Sequence, residues 1–104
     1  MITFEDFSRL ALNLQETAVE PHFEKTSFRF NKKIYATYDD KTHRACLKLS
    51  EADQDIYAAM SRGAVYPVDN KWGLQGWTWV DLSDVDEDLM ADALASAYDN
   101  VKGK

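Results

Sequence analysis

The sequence is poor in cysteine, proline, glycine and histidine, and each scarcity removes a class of answer. Cys46 is the single cysteine among 104 residues, so no internal disulfide can form and a disulfide-framed secreted scaffold is excluded. Two prolines and four glycines leave no low-complexity linker, and there is no internal repeat. The longest apolar runs are a few residues, far below the roughly 20 that cross a bilayer, so no membrane partner is expected. Met1–Asp6 has no basic region ahead of an apolar run and does not read as a signal peptide, which sets the expectation of a cytoplasmic protein. His22 and His43 are far apart and have no Cys or Glu at metal-ligand spacing; they read as surface or loop residues, and no metal is expected. Phosphate-loop, dinucleotide-fold and nucleophile-elbow glycine patterns are all missing, so neither a cofactor nor an enzymatic activity is expected.

What is present suits one small domain. At 45% hydrophobic, 12% aromatic and 29% charged, the composition is that of a globular chain rather than a disordered one. A chain of this size buries about 60–70% of its unfolded surface, enough for one two-layer core.

The net charge of −6 opposes general affinity for nucleic acid, yet it is unevenly spread. Residues 1–21 carry −3 and residues 49–104 carry −7. Residues 22–48 carry +4, with Lys25, Arg29, Lys32, Lys33, Lys41, Arg44 and Lys48 against Glu24, Asp39 and Asp40.

Thr3 with Asp6 resembles a capping box, and Phe4, Phe7, Leu10, Ala11 and Leu14 recur at helical spacing, predicting a first helix over roughly 3–15. A short extended piece around Ala18–Glu20 follows, stopped by Pro21. Ser27–Phe30, Ile34–Tyr38 and Arg44–Leu49 read as an antiparallel meander, with turns at Asn31-Lys32-Lys33 and Asp39–Thr42. In the third of these, Ala45, Leu47 and Leu49 point inward while Arg44, Cys46 and Lys48 point outward. Arg29 joins that outer face, with Tyr35 and Thr37 expected beside it. Ser50 and Asp53 open a short helix with Ile56, Tyr57 and Met60, ending near Gly63. Val65–Val68 is extended, with Pro67 marking a sheet edge or a bend, and Asp69–Gly76 is a loop. Trp77 and Trp79 share one face of a strand over Trp77–Leu82, opposite Thr78, Val80 and Leu82. Asp84 or Asp86 caps a last helix to about Val101 whose buried stripe includes Leu89, Met90, Ala93, Leu94 and Tyr98. The order α-β-β-β-α-β-β-α, with a possible short strand before the meander, predicts an α+β two-layer sandwich, an antiparallel sheet of about five strands with helices on one face.

Phe28-Arg29-Phe30-Asn31-Lys32-Lys33-Ile34-Tyr35-Ala36 resembles the "F-K-x-x-G-K-x-F-A" hairpin of the MmcQ/YjbR family. Asn70-Lys71 followed by Trp77-Thr78-Trp79-Val80-Asp81-Leu82 resembles its "N-K-x-x-W-x-x-V-x-L" signature, and Ser96-Ala97-Tyr98-Asp99 is similar to its closing "S-Y-D-L-V". The resemblance spans nearly the whole chain as one domain, 1–104. It implies the fold of small type III secretion chaperones and a DNA-binding role. Two departures stand out: Asn31 occupies a turn where glycine is usual, and Lys71–Trp77 is longer than in the family pattern.

Cys46, between Arg44 and Lys48, has neighbours that could lower a thiol pKa, but no base or oxyanion site accompanies it. The acid groups Asp39-Asp40 and Asp84/Asp86-Glu87-Asp88 suit a turn and a helix start, where backbone N–H groups hold carboxylates. The sharpest functional feature is the basic strip. Arg29, Lys32, Lys33, Arg44, Lys48 and Lys71 are candidate phosphate contacts, with Tyr35, Trp72 and Trp77 as candidate stacking partners for bases. The same strip could receive a protein or peptide partner, or form a solvated sheet face. A small-molecule cleft near Lys71 and Trp77 is a further alternative. The expected assembly is a monomer or a weak homodimer.

Overall fold

The computed structural model describes residues 1–103. Helix α1 (Phe4–Leu12) begins at the capping box anticipated from sequence: the Asp6 amide donates to Thr3 Oγ1 and the Thr3 amide donates to the Asp6 carboxylate. Those bonds hold the Asp6 carboxyl below its ordinary value. Strands β1 (Thr17–His22), β2 (Lys25–Phe30), β3 (Lys33–Asp39) and β4 (Arg44–Lys48) follow as a continuous meander. Helix α2 (Glu51–Met60), strand β5 (Val65–Pro67), the single turn α3 (Lys71–Leu74), strand β6 (Trp77–Asp81) and helix α4 (Glu87–Lys102) complete the chain.

The six strands form one antiparallel sheet in the order β1-β2-β3-β4-β6-β5. The α+β sandwich is therefore as expected, and the short extended piece before the meander, a possible strand from sequence, is a full sixth strand. The addition is β1, which continues through Pro21 instead of stopping there. It lies at the sheet edge, the place in a sheet where a residue without an N–H is tolerated. Pro67 sits on the opposite edge strand, β5, for the same reason.

One face of the sheet packs beneath α1, α2 and α4. Phe28, Ala36, Leu47 and Thr78 lie opposite one another across four strands and are fully buried, as are Ala45 and Val80 in the neighbouring row. Phe7 of α1 meets Phe28 edge-on at 5.3 Å, and Tyr98 of α4 meets Phe30 and Tyr35 edge-on at 5.4 and 5.5 Å. Leu89, Met90, Ala93, Leu94, Ala97, Tyr98 and Val101 form the buried stripe of α4. Ser96 bonds the Tyr57 hydroxyl at 2.7 Å and joins α4 to α2.

Helix α2 departs from its apolar reading. Ile56 and Met60 are exposed, and the residue turned fully inward is Gln54. Its Nε2 donates to the carbonyls of Gly73 and Trp77 and to Thr78 Oγ1, so a buried amide fastens α2 to α3 and β6.

Tyr35 also departs from its expected place. Strict alternation would set it beside Thr37 on the solvent face. The register instead shifts between Phe28 and Arg29, pairing Phe28 with Ala36 and Arg29 with Ile34, which leaves Tyr35 as the extra residue of a bulge. The bulge swings Tyr35 into the helix layer, where it is 0% exposed and its hydroxyl meets Thr17 Oγ1 at 2.8 Å. Desolvation holds that phenol above its ordinary pKa.

The β2–β3 turn places both Asn31 (φ 50°) and Lys32 (φ 71°) in the left-handed region, the arrangement that matches the twist of a tight hairpin. Asn adopts this conformation at less cost than Lys. The strained member is therefore Lys32, which is also the residue standing at the glycine of the quoted hairpin pattern.

Candidate nucleic-acid interface

The face of the sheet away from the helices is built by register. Ser27, Thr37, Cys46, Trp79 and Tyr66 form one row across β2, β3, β4, β6 and β5. Asp39, Arg44 and Asp81 form the next row, and Lys48 lies opposite Trp77 in a third. On β2 the alternation that carries Ser27 outward also carries out Lys25 and Arg29.

Cations and tryptophans pair on this surface. The Arg44 guanidinium carbon lies 3.8 Å from the centre of the Trp79 ring, and Lys25 Nζ approaches the same ring at 5.2 Å. Lys48 Nζ is 6.0 Å from the Trp77 ring and Lys71 Nζ 5.7 Å from Trp72. Lys25 arises on β2 and Trp79 on β6, so their side chains together cross the outer surface of β3 and β4 and cover Thr37 and Cys46. That cover explains the thiol. Cys46 points outward as expected, but it is buried, and desolvation pushes its pKa up to about 11 in spite of Lys25 and Arg44. A lowered pKa, the possibility raised by its basic neighbours, is not what burial produces.

The predicted phosphate contacts separate into groups. Arg29 and Lys48 stand on the outer face, and Lys71 on α3 joins them. The Arg29 Nε donates to Ser27 Oγ at 3.0 Å, and the Lys48 ammonium reaches the Gln75 carbonyl. Arg44 is on the face too, but it is committed: Nε donates to Thr42 Oγ1, Nη1 donates to the Tyr66 hydroxyl, and Asp39 and Asp81 flank it in register. Lys32 lies at the exposed tip of the β2–β3 turn. Lys33, opposite Phe30, borders a separate depression with Lys48, Asn100 and Val101 at the end of the sheet. Of the predicted aromatic contacts, Trp72 and Trp77 are on the outer face and Tyr35 is in the core. Lys25 and Trp79 were not singled out, although continuing the Ser27–Phe30 alternation back by two residues aligns Lys25 with Arg29.

Cations without a carboxylate at ion-pair distance occur in several places, and three of them lie beside the tryptophans. Among the described residues the ion pairs are Arg9–Asp6 and Lys41–Glu24, so Lys25, Lys48 and Lys71 have no carboxylate at ion-pair distance.

Helix α3 and its flanks fix the Trp72 side of the surface. The Asn70 side chain accepts from the Trp72 amide at 2.8 Å. Gly73 is pressed so closely to β5's continuation that a Cβ there would lie 1.9 Å from the Val68 carbonyl oxygen. The longer stretch from Lys71 to Trp77 is thus a pinned turn of helix.

His43 has a structural place. Its Nε2 lies 2.8 Å from the Ile2 carbonyl and its Nδ1 2.9 Å from the Tyr38 hydroxyl, tying the segment before α1 to the sheet. Among the described residues, no helix is long and apolar enough to cross a membrane and no cluster of three or more His, Cys, Asp or Glu side chains is placed to hold a metal ion.

No curated protein matches the sequence. The fold is similar to the crystal structure of Deinococcus radiodurans protein DR2400, which carries the domain DUF419: the TM-score is 0.83 at 22% identity, over 100% of this chain and 81% of that one. At that identity the likeness speaks for the fold. The YjbR family model matches residues 12–100, and with most of the chain covered, this protein belongs to the YjbR family.

Proposed function

We propose that this protein is a non-enzymatic nucleic-acid-binding protein whose outer sheet face contacts the phosphate backbone. One observation carries the reading: in a chain of net charge −6, Lys25, Lys48 and Lys71 stand on one face beside tryptophan rings and have no carboxylate partner among the described residues. Unpaired cations on a surface otherwise governed by acids suit a ligand that brings its own negative charge. Arg29 adds to the strip, and Arg44 supports it by holding Trp79. The thiol on this face is kept protonated by burial, in keeping with binding rather than nucleophilic chemistry.

The test is a salt titration of DNA binding. The logarithm of affinity should fall linearly with the logarithm of salt, by about 0.7 to 0.9 per phosphate contacted. Reversing Lys25, Lys48 and Lys71 to Glu should abolish binding while leaving the fold intact. Absence of binding at low salt, or an unchanged affinity in the triple variant, would refute the reading.

A second reading, a protein partner, is favoured by the hairpin between β1 and β2. Phe23 at its tip is 94% exposed and held at φ 58°, an unusual investment in displaying an aromatic ring beside an open sheet edge. A partner or second copy seated there would be lost in Phe23→Ser, as read by light scattering and affinity capture. A strictly monomeric protein that retains no partner would remove this alternative.

A further inference from the structure

The outer face contains a depression of about 370 Å³ beside α3, floored by Cys46 and bordered by Lys25, Val68, Trp72, Trp77 and Trp79. We infer that this depression seats an unpaired nucleobase, so that the face selects single-stranded over double-stranded nucleic acid. The inference rests on the backbone-binding reading above and adds to it the form of nucleic acid recognised.

Size and lining suit one base. The volume is at the lower end of the roughly 300–1,000 Å³ of small-ligand sites, and indole rings dominate the walls. A duplex offers phosphates and base edges but keeps its base faces stacked. A single strand can turn a base face toward an aromatic ring, an interaction open to every base because each has a π surface.

The pairing of rings with cations fits the same ligand. Trp72 has Lys71 beside it and Trp77 has Lys48, so each platform carries a positive charge about one side chain away. A nucleotide presents the complement, a flat ring and a phosphate joined by a sugar. The acids that register places on this face are Asp39 and Asp81 in the Arg44 row and Glu20 at the β1 end of the Cys46–Trp79 row, and none of the three lines the depression.

The backbone beneath the platform is also pinned. Trp72 is 49% exposed, yet its backbone is fixed by the Asn70 cap, by the contact of Gly73 with Val68 and by the Gln54 amide on the Gly73 carbonyl. A ring carried on a fixed backbone leaves only side-chain freedom to be lost when a base stacks on it.

The experiment is a titration of the full chain, followed by tryptophan fluorescence at low salt, with three probes: a short oligothymidine, a duplex of equal length, and an abasic strand of equal length. The oligothymidine should quench the fluorescence and bind at least about tenfold more tightly than the other two. Trp72→Ala, at an exposed position, should erase that preference while keeping salt-dependent binding of all three probes; Trp72→Phe should restore part of it. Equal affinity for the three probes, or a preference that survives in Trp72→Ala, would overturn the base site and leave backbone binding standing. Failure of every probe to bind would overturn both. Quenching by an acidic aromatic peptide but by none of the three would assign the depression to a protein partner and overturn the inference.

Discussion

The Arg44 guanidinium rests 3.8 Å from the centre of the Trp79 ring, while its Nη1 donates to Tyr66 and its Nε to Thr42. The arginine is thus a strut joining β4, β5 and β6, and the ring it holds closes over Cys46. Planarity matters here, because a guanidinium can stack and donate in two directions at once whereas an ammonium cannot. Arg44→Lys should loosen Trp79 although the charge is retained, and Trp79→Ala should cost about 2 kcal/mol of stability. Both should accelerate labelling of Cys46 by a thiol reagent in the folded protein, Trp79→Ala by more than about tenfold. An unchanged labelling rate in Trp79→Ala would show that the ring is not the cover.

The raised pKa of Cys46 sets a pH dependence. Its value in the folded protein, about 11, lies above its ordinary value of 9.0, so the folded state favours the protonated thiol. The contribution to stability is complete below about pH 9 and is lost as the pH rises toward 11. Denaturation midpoints measured across this range should fall more steeply for the natural protein than for Cys46→Ala. Asp6 has the opposite sign. Its Thr3 bonds depress the carboxyl pKa below the ordinary 3.8, so its contribution is present above that value and lost as the pH falls beneath it. Asp6→Asn should flatten the acid limb of the stability profile.

Lys32 is the strained residue of the β2–β3 turn at φ 71°. Lys32→Gly should relieve about 1 kcal/mol of strain, partly offset by the added freedom of the unfolded chain, and raise the thermal midpoint. Asn31→Gly should change stability less, because Asn already tolerates the conformation. A lower midpoint in Lys32→Gly would contradict the assignment of strain.

Two glycines separate steric from conformational cost. A Cβ at Gly73 would sit 1.9 Å from the Val68 carbonyl oxygen, so Gly73→Ala must displace α3 and should cost about 2–3 kcal/mol. At Gly63 there is open space but φ is 95°, so Gly63→Ala should cost only the backbone strain, about 1–2 kcal/mol. The Gly73 variant should also shift the Trp72 fluorescence maximum, and the Gly63 variant should leave it unchanged. Equal effects on stability and fluorescence would undo the distinction.

The elements were legible wherever one local rule governed them. Thr3 and Asp6 marked the start of α1, the alternation Arg44–Leu49 gave both faces of β4, and the stripe from Leu89 to Val101 gave α4 its buried side. The candidate site was legible in part. Arg29, Lys48, Lys71, Trp72 and Trp77, candidates from the chain, share the outer face with Lys25 and Trp79, which the chain alone does not distinguish, while Tyr35 lies in the core. Tyr35 turns the other way because it is itself the extra residue of a bulge in β3, and local alternation along the strand does not record where pairing with β2 skips a residue. Ile56 and Met60 looked like core because they are apolar at helical spacing; α2 instead turns toward the sheet the one polar residue whose amide satisfies two carbonyls and a hydroxyl.

The sequence by itself determined that residues 22–48 hold the excess positive charge and that tryptophans cluster in the last strand, since composition and alternation are properties of the chain alone. Only the tertiary structure decided which cation meets which ring. Lys25 reaches Trp79 from the far side of β3 and β4, and Lys48 meets Trp77 because β4 pairs with β6 in the register that sets them opposite. Those distances depend on strand order and register, which arise from packing between segments remote in sequence, and that is why the surface emerges only in the folded molecule.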